Sequence, residues 1–544
     1  MNARADGPPA TVRAATFDVL RARGMTTVFG NPGSTELAFL RDFPAGFRYV
    51  LGLHESVVVG MADGYAQATG RPAFVNLHSA CGVGNAMGAV VNAFHNRAPL
   101  VITAGNQDRR HLETEPYLFA RSVALMASYV KHAVEPARAQ DLPAAIDRAW
   151  ALARTPPAGP VFVSVPMDDW DAPAPDPARI PGEVFAGGRA DEATLNAVAA
   201  RLARARRPVI VAGAGIDRAG AWDAAVALAD RLGAPVWAAP QSPRAGFPED
   251  HPRFRGHLAP GFATARRGLG DADVVLVLGA PVFAFLAYEP GVEPMPPLIH
   301  VTDDPDEAAR SDSALAVVAD VGAVLAGLLE RLPAPEALPP PTAEPPPSPA
   351  PAPAPSEPIT PAFLMATLAG ALPADAIVVE EAPSHRGEFR RHVRIRRSGG
   401  FFATASGGLG FAMPAAVGMA LADDARPVVC VVGDGSALYA PQALWSAVQL
   451  GLAVVFVVVD NGRYAILEAA AAFAGHGGLP SMALPGIDIV ALARSFGCPA
   501  RRIADPADLG PALAGALAGD GPCLLDVAVD PAASPLLGDP REAP

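Results

Sequence analysis

Two apolar runs, each ending in a glycine-flanked polar pair, constrain this chain more than any other feature. Val428 to Val432 (Val-Val-Cys-Val-Val) is rich in β-branched residues and stops at Gly433-Asp434-Gly435-Ser436; Leu452 to Val459 stops at Asp460-Asn461-Gly462-Arg463-Tyr464. Between them, Pro441 to Gly451 carries Leu444, Trp445, Val448 and Leu450 at helical spacing. This strand, helix, strand order predicts two parallel strands joined by a crossover. A right-handed crossover brings both strand C-termini to one sheet edge, where α/β proteins bind ligands. Asp434 and Asn461 would then direct two side-chain oxygens at one point, and hard oxygen donors suit Mg²⁺ or Ca²⁺. Gly433 and Gly435 let a phosphate approach the backbone, beside the N–H groups of the following helix start. Either Gly-Asp-Gly or Asp-Asn-Gly alone reads as a turn; one crossover apart, the two read as a cation site for a diphosphate.

The rest of the chain repeats the alternation. From Thr11 to about Trp170, helices over Ala14 to Arg23, Ser34 to Leu40, Glu55 to Thr69 and Gly84 to Asn96 alternate with strands at Thr27 to Phe29, Tyr49 to Leu51, Ala73 to Leu77, Leu100 to Thr103 and Pro160 to Val165. Ser34 follows the Gly30-Asn31-Pro32-Gly33 turn as the expected helix cap. Such alternation implies parallel sheets covered on both faces. A second stretch has strands at Val209 to Ala212, Pro235 to Trp237, Asp273 to Leu278 and Leu298 to Val301. Its Val211-Ala-Gly-Ala-Gly215 resembles the opening of a dinucleotide loop but lacks the third glycine, so a structural turn is expected. Pro333 to Pro358, nearly all Pro, Ala, Glu and Ser, is read as a linker, and Thr360-Pro361 as a helix start. The expected organisation is an α/β protein of three domains with parallel sheets: 11–180, 190–332 and 359–530, with a linker over 333–358 and a tail over 531–544.

Composition removes several function classes. Acidic residues outnumber basic ones 55 to 42, giving a formal charge of −13, which disfavours a nucleic-acid partner. The single lysine, Lys131 in Tyr-Val-Lys-His-Ala, fits neither a Walker-type phosphate loop nor a pyridoxal Schiff base. Four cysteines without CxxC spacing argue against zinc or a disulfide framework. Without an apolar signal core at the N-terminus or a run long enough to span a bilayer, no membrane partner and a cytoplasmic location are expected. The chemistry must come from carboxylates, histidines and a borrowed cofactor.

Several segments resemble a known family. Phe29-Gly-Asn-Pro-Gly-Ser34, His54-Glu55, Ala62-Asp63-Gly64-Tyr65-Ala66 and Asn76-Leu-His78-Ser are similar to the pyrimidine-binding domain of thiamine-diphosphate decarboxylases, and the Gly-Asp-Gly and Asp-Asn-Gly segments to their metal-holding domain. The resemblance implies thiamine diphosphate and Mg²⁺ as cofactors. Asp434 and Asn461 would be metal ligands, joined by the main-chain carbonyl of Arg463 rather than its side chain. Glu55 would hydrogen-bond the aminopyrimidine and help remove the thiazolium C2 proton, work that requires a dry pocket. Gly407-Gly408-Leu409-Gly410-Phe411-Ala412-Met413-Pro414 matches the family's cofactor-bending segment, with Leu409 as the wedge and the Gly407 carbonyl accepting from the amine. By the same resemblance Asn31, Gly33, Ser384, Gly433, Gly435, Ser436, Tyr464 and Ile466 would line the cofactor. Because the family grips pyrimidine and diphosphate on different subunits, a homo-oligomer is implied, usually a dimer of dimers.

Within that family the segments follow benzoylformate decarboxylase across nearly the whole chain outside the linker. Ser34 then stands where the substrate carboxylate binds, and His78 where protons are relayed. Leu286 replaces a second active-site histidine, and Ala403 and Ala470 replace large pocket aromatics. The expected activity is therefore decarboxylation of a 2-oxo acid with a bulky aromatic or branched group to an aldehyde and CO₂, with benzoylformate itself in question. The alternatives are carboligation or 2-hydroxyacyl cleavage in the manner of acetolactate synthase, and a non-catalytic dinucleotide-binding protein. His54, His111 and His385 are further candidates for the missing imidazole.

Overall fold

A computed structural model of the chain describes residues 10–174, 187–283, 293–334, 350–423 and 425–532. Leu286 and residues 335–349 of the proline segment lie outside the described residues. Among the described residues, three six-stranded sheets, parallel throughout and covered by helices, form the architecture. The first contains β1 (Thr27–Gly30), β2 (Arg48–Leu51), β3 (Ala73–Leu77), β4 (Leu100–Asn106), β5 (Ala133–Val134) and β6 (Val161–Pro166), in the order β2-β1-β3-β4-β6-β5. The second contains β7 (Pro208–Ala212), β8 (Val236–Ala238), β9 (Phe254–His257), β10 (Val274–Leu278), β11 (Leu298–Thr302) and β12 (Leu315–Val318), in the order β12-β11-β10-β7-β8-β9. The third contains β13 (Ile377–Glu381), β14 (Phe401–Ala403), β15 (Val428–Gly433), β16 (Val454–Asp460), β17 (Ala500–Ile503) and β18 (Cys523–Ala528), in the order β14-β13-β15-β16-β18-β17. Every residue of β3, β4, β6, β7 and β13 is buried, as in parallel strands covered on both faces.

The chain gathers into two compact units, and the division does not follow sequence order. One comprises Met1–Ala186 with Ser406–Asp424 and Ala440–Leu452; the other comprises Gly187–Ala405, Ala425–Tyr439 and Ala453–Pro544. The Ala412–Ala422 helix, which by sequence belongs to the last α/β stretch, is thus part of the first unit. It is apolar around its circumference and buried from Ala412 to Ala420, as a helix without a polar face must be. It crosses the Glu55–Thr69 helix backbone to backbone. A Cβ on Gly418 would lie 1.9 Å from the Met61 carbonyl oxygen, and one on Gly64 would lie 2.1 Å from that of Ala415. Gly418→Ala therefore forces the helices apart, and such overpacking costs about 1–3 kcal/mol or more. Denaturant unfolding of the full chain should show a lower midpoint for G418A than for Gly370→Ala, whose added Cβ meets nothing within 4 Å.

In the second unit the glycine loop after β7 is filled by the protein itself. Gly213 and Gly215 donate N–H groups to the carbonyls of Leu278 and Gly279, at 2.9 and 2.8 Å, and a Cβ on Gly215 would sit 2.6 Å from the Gly279 Cα. The backbone close to these glycines is its own, so the loop is the structural turn expected. At the third sheet's entrance Thr360 caps the Pro361–Ala371 helix through its side chain, which accepts from Phe363 N at 3.2 Å.

Candidate active site

The first unit brings Glu55, His78 and the Asn31–Ser34 turn together. Parallel pairing of β1 between β2 and β3 places the three loops that follow these strands at one sheet edge. Glu55 opens the Glu55–Thr69 helix behind His54, whose ring accepts from Ser56 N at 3.2 Å and so serves as the cap. The Glu55 carboxylate is 9% exposed and accepts from Asn85 Nδ2 at 3.1 Å; its other oxygen lies over Gly82, 3.0 Å from where a Cβ would stand. His78 precedes the Ser79–His95 helix, which begins five residues before the expected start at Gly84. Ser79 turns the chain there with φ 43°, a left-handed conformation that costs a non-glycine residue about 1–3 kcal/mol.

The residue that organises this edge escaped the sequence reading. Glu36, 1% exposed, takes four hydrogen bonds: from Gly33 N at 2.8 Å, Gly105 N at 2.9 Å, Thr35 Oγ1 at 2.7 Å and the His78 ring at Nδ1 at 2.9 Å. The hydrogen bond to Glu36 raises the His78 pKa above the usual imidazole value; burial opposes the rise, and the charges of Glu36 and Glu55 add to it. Burial, with the Glu36 charge, also pushes the Tyr49 phenol above its normal range. Ser34 is exposed and starts a 3-10 turn, Ser34–Glu36, instead of capping a helix. Gly33 holds the cap position, and its N–H is satisfied by Glu36. The available signal was Gly33-x-x-Glu36, the back half of a capping box.

The proposed cofactor-bending segment also lies in the first unit. Gly407 (φ 75°) and Gly410 (φ 91°) shape it, and Asn92 Nδ2 donates to the Gly408 carbonyl at 3.3 Å while Asn92 Oδ1 accepts from Ser406. Leu409 is half-buried.

In the second unit β15 and β16 pair in parallel, with Gly433 opposite Val459, so Asp434 and Asn461 leave the same edge. Asp434 is 6% exposed and accepts from the backbone N–H groups of Gly435 and Gly462, which ties the two segments together. Burial, reinforced by the Asp460 charge, pushes its carboxyl up to about 6. No cationic side chain pairs with it among the described residues. Asp460 instead pairs with Arg502 at 2.7 Å, which also holds the buried Asp526 at 2.5 Å. Asn461 is 7% exposed, and its Oδ1 accepts from Arg463 N at 3.3 Å. The Arg463 side chain pairs with Glu468 at 2.5 Å. The Tyr464 ring lies against Gly435, Ser436 is buried, and Ser384 Oγ accepts from Ile466 N at 3.1 Å.

The other candidates separate cleanly. His111 is exposed in a 3-10 turn. His385 is 1% exposed, beside Asn461, and burial pushes it down to about 4. Ala403 is buried on β14 and Ala470 half-buried on the Ala465–Phe473 helix. Lys131 donates to the carbonyls of Leu152 and Thr155 at the end of the Leu142–Arg154 helix, a structural role. No described helix is long and apolar enough to cross a membrane.

Each unit thus carries a buried carboxylate at a strand-end edge, one near a histidine and one near an amide oxygen, and comparison with known proteins gives the class: a thiamine-diphosphate enzyme. Residues 10–130, 195–328 and 382–527 match, in turn, the N-terminal TPP binding domain, the central domain and the C-terminal TPP binding domain of thiamine pyrophosphate enzymes. The chain belongs to that family, among the 2-oxo acid decarboxylases similar to benzoylformate decarboxylase. It is 45% identical to benzoylformate decarboxylase of Pseudomonas aeruginosa over 528 residues, covering 95% of this chain and 98% of the relative. Among solved structures it superposes on benzoylformate decarboxylase from Polynucleobacter necessarius with a TM-score of 0.94 at 37% identity, covering 97% and 100% of the two chains. The thiamine diphosphate-dependent 4-hydroxybenzoylformate decarboxylase of Rhodococcus jostii gives 0.92 at 42% identity, covering 96% and 99%.

The residues present fit the family's cofactor. Asp434 and Asn461 Oδ1, buried at one sheet edge, are hard oxygen donors of the kind a divalent cation would take, with a backbone carbonyl to complete the set. Among the described residues the buried Nδ1 of His385 has no protein partner, and a ligand oxygen would satisfy it.

Proposed function

We propose that the chain decarboxylates a 2-oxo acid bearing a bulky aromatic or branched apolar group, releasing an aldehyde and CO₂, with thiamine diphosphate and Mg²⁺. The observation that carries this reading is the buried Glu55 carboxylate within electrostatic reach of a His78 held by Glu36. When bound, the cofactor supplies a thiazolium that accepts the electron pair left as CO₂ departs. Glu55 exchanges a proton with the aminopyrimidine from a site nearly closed to water. His78, its proton retained to higher pH by Glu36, donates to the developing product once CO₂ has left, and Ser34, on the exposed turn after Gly33, binds the substrate carboxylate beforehand. In one unit Asp434, Asn461 and the Arg463 carbonyl would hold the Mg²⁺, and Ser384, Gly433, Gly435, Ser436, Tyr464 and Ile466 would take the diphosphate. In the other, Asn31, Gly33, Gly407 and Leu409 would take the ring end of a cofactor whose diphosphate is held by a second subunit. Small residues at Ala403 and Ala470 favour a larger substrate group. The working form is a homo-oligomer, a dimer of dimers, acting in the cytoplasm.

A panel of 2-oxo acids assayed for CO₂ release tests the reading. Arylglyoxylates and branched-chain 2-oxo acids should turn over faster than pyruvate, with aldehyde formed in equal amount. If one product derives from both the 2-oxo acid and an added aldehyde, and CO₂ appears only with that acceptor present, the enzyme is a carboligase instead.

A further inference from the structure

We propose that His385 is a positioning residue that fixes which end of the Asn461 amide faces the cation. This inference rests on the reading of Asn461 as a Mg²⁺ ligand. An asparagine offers a hard oxygen at one end and two N–H donors at the other, so a flipped side chain presents hydrogens where the cation needs a lone pair. Burial hides both ends from water: Asn461 is 7% exposed and His385 1% exposed.

Two contacts choose the same orientation. Asn461 Nδ2 lies 3.3 Å from His385 Nε2, and Asn461 Oδ1 accepts from Arg463 N at 3.3 Å. With Nε2 as acceptor, the neutral ring carries its proton on Nδ1, the atom that has no protein partner among the described residues. Flipping the amide would aim its NH₂ at the Arg463 N–H, donor against donor. Arg463 N–H alone is a weak guide, because a cation drawing on Oδ1 competes for the same lone pairs. The imidazole acceptor holds the amine end from the opposite side and does not compete. Groups that orient metal ligands in this way typically account for 10–100-fold in metal affinity.

The test is the Mg²⁺ concentration that half-saturates thiamine diphosphate binding, followed by calorimetry on the full-length protein, so that turnover is not the readout. His385→Phe, which keeps bulk but removes the acceptor, should raise it by about 10–100-fold, and His385→Gln, whose carbonyl can accept from Asn461, should return it to within about threefold of wild type. If His385→Phe does not fold, His385→Asn, too short to reach Asn461, takes its place. A wild-type Mg²⁺ requirement in a folded His385→Phe protein overturns the proposal, as does an equal loss in the Phe and Gln variants. Wild-type protein that binds thiamine diphosphate without any Mg²⁺ dependence instead removes the metal reading on which the proposal rests.

Discussion

Glu55→Gln is expected to lower turnover of the best 2-oxo acid by about 10²–10⁴ with thiamine diphosphate and Mg²⁺ saturating, the range lost when a positioned acid–base group is removed. The substitution is nearly isosteric. Its carbonyl oxygen can still accept from Asn85 Nδ2, now at 3.1 Å from the carboxylate, and its volume still fills the space over Gly82. Folding should therefore be unaffected, and far-UV circular dichroism and the denaturant midpoint should match wild type. The loss is confined to proton exchange. CO₂ release measured at saturating substrate and cofactor is the check, and full turnover in E55Q would show that Glu55 has no acid–base role.

Glu36→Gln should destabilise the fold, because it breaks a buried hydrogen-bond cluster at this edge. The carboxylate accepts from two backbone N–H groups, Gly33 and Gly105, and from Thr35, while meeting the His78 ring. Glutamine supplies one oxygen and an NH₂, so at least one buried N–H faces a donor, at about 1–3 kcal/mol for each orphaned group. The His78 contribution has a defined pH dependence. Glu36 raises the folded-state pKa of His78 above its unfolded value near 6.5, so this stabilisation is fully present below pH 6.5. It fades as the pH rises through the higher folded pKa. The stability gap between wild type and E36Q should thus be widest in mild acid and narrow above neutrality. Chemical denaturation of both proteins across pH 5.5 to 8.5 measures it. A gap that widens with pH would mean that His78 is not held by Glu36.

The contrast between these two glutamates shows what was legible in the sequence. Glu55 stands between a strand and a helix whose limits, Glu55 to Thr69, follow directly from apolar spacing, and motif words flank it. Glu36 sits among Ser-Thr-Glu-Leu, where a carboxylate normally meets solvent; its burial depends on β4 bringing Gly105 alongside, a long-range pairing that local pattern does not encode. The Ser79–His95 helix was underestimated for a related reason. Its first residues, Ser-Ala-Cys-Gly-Val, are small, and their helical state is set by packing rather than by propensity. The paired strand ends at Asp434 and Asn461 were readable because β15 and β16 are buried on both faces, which removes polar interruptions from the sequence. Leu286 lies outside the described residues, so the replacement of the second imidazole stays a matter of sequence.

The placement of the Ala412–Ala422 helix against the Glu55–Thr69 helix has a consequence for how this polypeptide can be cut or recombined. The proline-rich segment looks like a natural place to sever the chain, yet cleavage there would strip the N-terminal half of a helix that it needs to cover Gly60, Met61 and Gly64. A fragment ending at that segment would display this bare stripe to solvent and aggregate. Chimaeras with related enzymes would have to exchange both helices of the crossing as one cassette, although some 350 positions separate them along the chain.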